Sequence, residues 1–88
     1  MAQKTAIKFF ASWCGPCRIY AKTWENVVES FQGDIEFKDI DIEKDTTGLA
    51  AQYKITTIPT TVIIDSTGAV EKYTGRLNQT ELEEYLRK

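Results

Sequence analysis

The chain has no histidine, two cysteines and no long apolar run. Without an imidazole, nucleophile activation of the Ser–His or Cys–His type is excluded. A structural zinc site is usually closed by Cys and His ligands, of which this chain has too few, so we expect no metal. No segment approaches the ~20 apolar residues of a membrane-spanning helix, so we expect no membrane partner. A redox reaction of the cysteine pair remains as the main chemical interpretation.

The charge balance is slightly acidic, with 11 Lys and Arg against 13 Asp and Glu and a net charge of −2. No basic stripe is present, so we expect neither nucleic acid nor an anionic lipid surface as a partner. A length of 88 residues predicts a single domain, residues 1–88, with one modest core. The opening segment MAQKTAIKFF lacks the apolar stretch and cleavage site of a signal peptide, which favours a cytoplasmic protein.

Apolar periodicity and turn residues predict the element order β-α-β-α-β-β-α. The first β-α-β unit favours a parallel strand pair with a right-handed crossover. The last two strands, joined by DSTG, favour an antiparallel hairpin. Together they predict an α/β fold with one mixed four-stranded sheet and helices on both faces. The predicted strands are residues 5–11, IEFKDIDIEKD, TTVIID and AVEKYTG.

Apolar spacing and capping residues position the three predicted helices. The first follows the turn SWCGPC and is predicted to reach about Phe31, with Gly33 ending it. A short second helix is predicted in TTGLAAQYKI, and a last helix follows the final strand. The expected caps are Thr46 or Thr47 for the second helix and Asn78 or Thr80 for the last. The apolar positions at helical spacing in the first helix are Ile19, Trp24, Val27, Val28 and Phe31.

The motif Trp13-Cys14-Gly15-Pro16-Cys17, followed by Ile58-Pro59-Thr60 and by Gly75 after the last strand, resembles the thioredoxin family over nearly the whole chain. A Cys-x-x-Cys pair alone is a weak signal. The full motif together with Ile-Pro-Thr, in this element order, is specific. The chain departs from the family in three respects. It begins at what corresponds to the family's second strand, and it carries Lys8 where the family usually has a buried aspartate. It also has Lys22 at the family's helix-kink proline, so a straighter first helix is expected.

The resemblance implies a thiol-disulfide oxidoreductase that reduces protein disulfides. Cys14 is the expected nucleophile, because free N–H groups and the dipole at a helix N-terminus stabilise its thiolate. Cys17, one turn further along, is expected to resolve the mixed disulfide. At this spacing the two thiols are near enough to form a disulfide, and the resemblance implies no other bound cofactor. The implied partners are disulfide-containing proteins and a flavin- and NADPH-dependent thioredoxin reductase, with the chain acting as a monomer.

The same resemblance implies a substrate groove beside a cis proline. A cis Ile58–Pro59 bond would bring the Ile58 backbone beside Cys14, ready to pair with an extended substrate. The alternatives are an ordinary trans proline, a surface tryptophan unrelated to the groove, and a cysteine pair that is inert. The residues expected to line the groove are Trp13, Gly15, Pro16, Ile58, Pro59 and Gly75, with Arg76 at its edge.

Lys8 lies in the strand that leads to the cysteines, where an unpaired charge would be costly. The family's aspartate is usually paired with a lysine on the neighbouring strand, and Asp39 matches that lysine's position within one residue. The resemblance therefore predicts the same pair with its charges exchanged, tuning Cys17 or accepting its proton through Asp39 or a neutral Lys8. The alternative is that Lys8 reaches the rim of the sheet and only packs there.

Two other functions stay open on the sequence. A glutaredoxin-like reductase would use glutathione, although such enzymes usually carry Cys-Pro-Tyr-Cys and no basic glutathione clamp is evident. A redox-inert module would hold a partner in the groove between Trp13 and Pro59 without exchanging disulfides.

Overall fold

A mixed four-stranded sheet forms the centre of the computed structural model, which describes residues 3–88. The predicted α/β fold and element order are confirmed, while the first two residues of the opening segment lie outside the described part. β1 pairs parallel to β2, and β3 runs antiparallel to both β1 and β4, in the spatial order β2-β1-β3-β4. The strands are β1 (Lys4–Phe10), β2 (Ile35–Asp41), β3 (Thr60–Asp65) and β4 (Val70–Thr74). The helices are α1 (Gly15–Ser30), α2 (Leu49–Gln52) and α3 (Gln79–Arg87).

Helices cover both faces of the sheet and create two apolar layers. α1 and α3 cover one face, where Trp24 and Leu82 belong to the same buried cluster as Ala6 of β1. α2 covers the other face, where Leu49 packs against a cluster that contains Phe9. β1 is therefore enclosed on both sides, which explains its nearly continuous apolar sequence. Lys8 is the charged exception in this buried strand.

The C-terminal end of α1 differs from the prediction. Phe31 leaves the helix in an extended conformation, and its N–H donates to the Val27 carbonyl. Because this ending needs no left-handed residue, Gly33 does not terminate the helix, and that expectation is wrong. Gly33 lies instead beside the Phe31 ring, where an added Cβ would come within 2.6 Å of a ring carbon. The glycine therefore permits a close approach between backbone and ring.

Two of the apolar positions in α1 face solvent rather than the core. Ile19 is 59% exposed and Val28 is 42% exposed. Each lies one residue, or about 100° of rotation, from the buried stripe, so loose helical spacing did not separate them from it. The buried stripe of α1 is formed by Cys17, Tyr20, Trp24 and Val27.

The two later helices begin in different ways. α2 follows Gly48, whose φ of 76° is left-handed and which makes no side-chain cap itself. The predicted cap is confirmed in part: Gly48 occupies the N-cap position, but the Thr47 hydroxyl accepts at 3.2 Å from the N–H of Leu49, the first residue of α2. α3 begins after Asn78, whose side chain accepts from the Glu81 N–H in a capping box, so this predicted cap is confirmed.

Candidate redox site

Cys14 and Cys17 form a disulfide at the N-terminus of α1, with their Cα atoms 5.2 Å apart. Cys14 is the N-cap, and its sulfur accepts a hydrogen bond of 3.2 Å from the Cys17 N–H. Pro16 lies in the first turn, where a missing N–H leaves no helical bond unmade. The Cys14 sulfur therefore lies at the positive end of the helix dipole, which stabilises a thiolate once the disulfide is reduced.

The turn that carries the disulfide is exposed, although the cysteines themselves are not. Trp13 is 63% exposed, and Gly15 and Pro16 are also exposed. Cys14 and Cys17 are only 5% and 3% exposed. A partner that reaches the sulfurs must therefore contact this turn first.

The Ile58–Pro59 peptide is cis, as predicted, and lies against the cysteines. The Ile58 carbonyl oxygen is 4.0 Å from Cys14 Sγ, a contact rather than a hydrogen bond because the disulfide has no thiol proton. The Gly75 N–H donates to the Pro59 carbonyl at 2.8 Å, which ties the segment after β4 to this loop. Gly75 has a φ of 86°, a left-handed conformation that favours glycine. The cis-proline loop thus lies against the disulfide, and the segment after β4 is held against that loop.

An apolar layer lies directly under the disulfide. Cys14, Cys17 and Ala11 form a buried cluster, and Phe10 and Ile58 pack against it. Charge interactions are less screened in such surroundings than in water, so a nearby charge acts strongly on a thiol here.

Lys8 is a buried charged residue on β1, and it lies directly opposite Asp39 in the register of β1 and β2. Its Nζ is 4.0 Å from Asp39 Oδ1. Nζ also lies 5.2 Å from the centroid of the Phe10 ring and 5.8 Å from that of Trp24, within reach of cation–π attraction. The Lys8 side chain is 7% exposed but the Asp39 side chain is 55% exposed. The pair is therefore asymmetric, because β1 is a central strand and β2 an edge strand.

A cavity of about 160 Å³ connects Lys8 with the redox pair. Arg18, also in its wall, donates from Nη2 to the Ser12 carbonyl at 3.1 Å. The cavity is large enough for several waters, each of which takes up roughly 30 Å³. A water chain between Lys8 and the second cysteine is therefore sterically possible. The lining residues are Lys8, Phe10, Ala11, Ser12, Cys17, Arg18 and Ala21.

A buried polar pair beneath the site was not predicted from the sequence. The hydroxyls of Tyr20 and Thr61 are 2.7 Å apart and hydrogen-bonded. Thr61 lies opposite Lys8 in the register of β1 and β3, so Thr61, Lys8 and Asp39 lie side by side across three neighbouring strands. Burial raises the pKa of Tyr20 to about 12, against a smaller opposing effect of the Thr61 hydrogen bond. The sequence did carry a signal for Tyr20: it lies three residues after Cys17 and four before Trp24, a spacing that places all three on one face of a helix.

Replacing Tyr20 with Phe should destabilise the protein by about 1 kcal/mol at neutral pH, because a buried hydrogen bond is lost. Above pH 10 the difference in stability between the unmodified protein and Tyr20→Phe should become smaller. The folded-state pKa of Tyr20 is about 12 and its ordinary value is 10.0, so between these values the unfolded tyrosine loses its proton first. Unfolding then becomes easier as pH rises, and Tyr20→Phe removes that contribution.

Urea unfolding at several pH values measures this difference. Tyr53→Phe is the matched control, since the Tyr53 hydroxyl has no hydrogen-bond partner among residues 3–88 and the ring is half-buried. It should change stability by less than about 0.5 kcal/mol. Identical pH slopes for Tyr20→Phe and the unmodified protein above pH 10 would contradict the assignment.

The chemistry available at this site is the making and breaking of disulfides. No group of His, Cys, Asp and Glu side chains in the described part of the chain could hold a metal ion. None of the helices described for residues 3–88 is long and apolar enough to cross a membrane.

Comparison with known proteins identifies the family. Residues 1–88 match the family profile of thioredoxin. The mitochondrial thioredoxin of Mus musculus is 34% identical over 82 residues, which are 93% of this chain and 49% of that protein. A thioredoxin of Mycoplasmoides gallisepticum is 29% identical over 85 residues, or 97% of this chain and 83% of that protein. The chain spans about half the length of the mammalian mitochondrial relatives it matches.

Solved structures agree with this assignment. The crystal structure of chloroplastic thioredoxin z superposes with a TM-score of 0.83 at 30% identity, covering 97% of this chain and 76% of that one. The X-ray structure of Fasciola hepatica thioredoxin gives a TM-score of 0.84 at 32% identity, covering 98% of this chain and 80% of that one. Because the thioredoxin profile matches residues 1–88 and the disulfide lies at the N-terminus of α1, the chain belongs to the thioredoxin family.

Proposed function

We propose that the protein is a thiol-disulfide oxidoreductase that reduces protein disulfides by dithiol exchange through Cys14 and Cys17. One observation carries the proposal: the two cysteines form a disulfide at the start of α1, with Cys14 as the N-cap against the Ile58 carbonyl. Membership of the thioredoxin family supports it.

The first step is attack by Cys14 on the substrate disulfide. The helix N-terminus stabilises the Cys14 thiolate, which is the reactive form. A bond forms between Cys14 and one substrate sulfur, the substrate S–S bond breaks, and the other substrate sulfur leaves as a thiolate. The product of this step is a mixed disulfide.

The second step is attack by Cys17 on the Cys14 sulfur. The Cys17 thiol loses its proton, the Cys14–Cys17 bond forms, and the remaining substrate sulfur leaves and is protonated. Cys17 is held in the first turn of α1, three residues from its target, so no large movement is needed. The substrate gains two electrons and the enzyme becomes the disulfide.

The substrate backbone is proposed to lie along the cis-proline loop. Neither the N–H nor the carbonyl of Ile58 takes part in a backbone hydrogen bond within residues 3–88, so both are available to an extended chain. The exposed Trp13 would bound one side of this groove and Gly75 the other, with Gly15 and Pro16 forming its rim at the disulfide.

The Lys8–Asp39 pair is proposed to serve the second step. The chain has no histidine to take the Cys17 proton. Lys8 and Cys17 line the same cavity, and Asp39 is 4.0 Å from the Lys8 ammonium. In this proposal the proton leaves through water to the pair, and the exposed Asp39 carboxylate passes it to solvent.

The proposed physiological context follows from the chemistry. Residues 1–88 would act as one domain and as a monomer, because both cysteines come from a single chain. The partners would be disulfide-containing proteins and a flavin- and NADPH-dependent thioredoxin reductase. We propose the cytoplasm, a compartment that keeps thiols reduced, over the mitochondrion and the chloroplast of the named relatives.

An insulin-reduction assay with two electron sources tests the function. Reduction should be rapid with NADPH and thioredoxin reductase, and slow with glutathione and glutathione reductase. The reverse order would favour the glutaredoxin-like alternative. A Cys14–Cys17 disulfide that exchanges with neither source would favour the redox-inert module and would contradict the proposal.

A further inference from the structure

We propose that the cavity between α1 and the start of α3 accepts an acidic side chain, most favourably glutamate, from the substrate polypeptide. The inference rests on the proposed function and specifies the substrate class: disulfide proteins with a glutamate close to the reactive cysteine.

The cavity adjoins the proposed substrate groove. It has a volume of about 320 Å³ and includes Arg76 and Leu77. These residues directly follow Gly75, whose N–H donates to the Pro59 carbonyl at 2.8 Å. A polypeptide lying against Ile58 and Gly75 therefore reaches the mouth of this cavity. The lining residues are Ile19, Tyr20, Thr23, Arg76, Leu77, Asn78 and Glu81.

Arg76 is the unpaired charge in the wall of the cavity. It is exposed and has neither an ion pair nor a side-chain hydrogen bond with any residue from 3 to 88. Glu81, the acidic residue of the lining, keeps its negative charge, but its Oε1 accepts the Asn78 N–H at 3.0 Å in the capping box of α3, and the positive end of the helix dipole partly offsets that charge. A carboxylate is therefore the charge that this wall favours.

The apolar wall favours glutamate among acidic residues. Ile19 is 59% exposed and contributes to the cavity, as does the half-buried Leu77. Such a wall can cover the methylene groups of a side chain while its carboxylate meets Arg76. Glutamate has one more methylene group than aspartate.

The geometry also limits the position of the glutamate. An extended chain advances about 3.3 Å per residue. Arg76 adjoins Gly75 in the chain, and its long side chain extends the reach of its charge. The glutamate is therefore expected within about three residues of the reactive cysteine.

A charge-exchange experiment on peptide disulfides tests the proposal. Three peptides carry Glu, Gln or Lys two residues from the cysteine, and their reduction is measured as kcat/KM with thioredoxin reductase as the electron source. The unmodified protein should reduce the Glu peptide about threefold to fivefold faster than the Lys peptide at low salt, a difference of the size of an exposed ion pair. The preference should fall as salt is added.

Substitutions of Arg76 show whether the preference belongs to this cavity. Arg76→Gln should abolish it and Arg76→Glu should reverse it. Arg87→Glu is the matched control, an arginine at the far end of α3, and should keep the original preference. An unchanged Glu-to-Lys ratio in Arg76→Glu overturns the inference while the proposed function stands. Failure of the unmodified protein to reduce any of the peptides overturns the proposed function, and the inference with it.

Discussion

Serine in place of Cys14 is expected to abolish disulfide reduction, whereas serine in place of Cys17 should leave mixed disulfides that persist. Cys14 is the N-cap of α1, where the helix dipole favours a thiolate, and it touches the Ile58 carbonyl at which the substrate is proposed to bind. Without Cys14 no bond to the substrate forms. Without Cys17 that bond forms but is not resolved.

Non-reducing electrophoresis and mass spectrometry of the two variants with a disulfide substrate measure this difference. Cys14→Ser should give background turnover and no adduct. Cys17→Ser should give one substrate bound to each enzyme, released by dithiothreitol. An adduct in Cys14→Ser, or turnover by Cys17→Ser at the unmodified rate, would contradict the assignment of the two roles.

Lys8→Asp alone is expected to destabilise the protein by about 3–5 kcal/mol, the usual cost of an uncompensated buried charge. The new carboxylate would be buried on central strand β1 and would face Asp39 across the register. Asp39→Asn should cost less, about 1–3 kcal/mol, because it leaves the buried Lys8 ammonium without its carboxylate partner while the Asp39 position, 55% exposed, stays open to water. The double exchange, Lys8→Asp with Asp39→Lys, should recover most of the stability lost in Lys8→Asp.

Lys8→Met separates the kinetic role of Lys8 from its effect on stability. Methionine fills a similar volume without a charge, so the fold should be kept. If the pair takes the Cys17 proton, resolution of a preformed mixed disulfide should slow by about a hundredfold or more, the lower end of the usual contribution of general-base catalysis, while the initial attack by Cys14 changes little.

Stopped-flow kinetics across pH, with urea unfolding in parallel, measures both effects. Lys38→Met is the matched control, since Lys38 is exposed on the neighbouring strand. It should leave both steps unchanged. Resolution by Lys8→Met with an unaltered rate and pH profile would limit Lys8 to packing, the alternative that the sequence left open. Equal destabilisation by Asp39→Asn and Lys8→Asp would contradict the asymmetry of the pair.

The fold was predictable because strong local signals agreed with one another. The apolar run of β1, the alternation in β2 and the hairpin turn at 65–68 each specify one element. The position of Cys14 at the start of a helix could be predicted from the motif and from Pro16 alone. These features depend on neighbours in sequence, which is why composition, spacing and turn chemistry were sufficient.

The misplaced features depend on tertiary contacts. Ile19 has the spacing of a core residue in a helix, but it lies one residue from the buried stripe and lines the cavity between α1 and α3. Gly33 is a residue type that often ends helices, yet α1 ends at Phe31, whose backbone is extended. The Tyr20–Thr61 hydrogen bond joins residues 41 positions apart in the chain, and no local pattern marks Thr61 as its partner. The exposure of Asp39 likewise follows from which strand lies at the sheet edge.

The order in which the two thiols react with an alkylating agent tests the central claim most directly. The protein is reduced, treated with limiting iodoacetamide at neutral pH, digested and mapped by mass spectrometry. Cys14 should be modified first and Cys17 only after unfolding or prolonged exposure, because Cys14 carries the helix-stabilised thiolate and Cys17 lies one turn inside the site. Modification of Cys17 before Cys14 would contradict the assignment of Cys14 as the nucleophile.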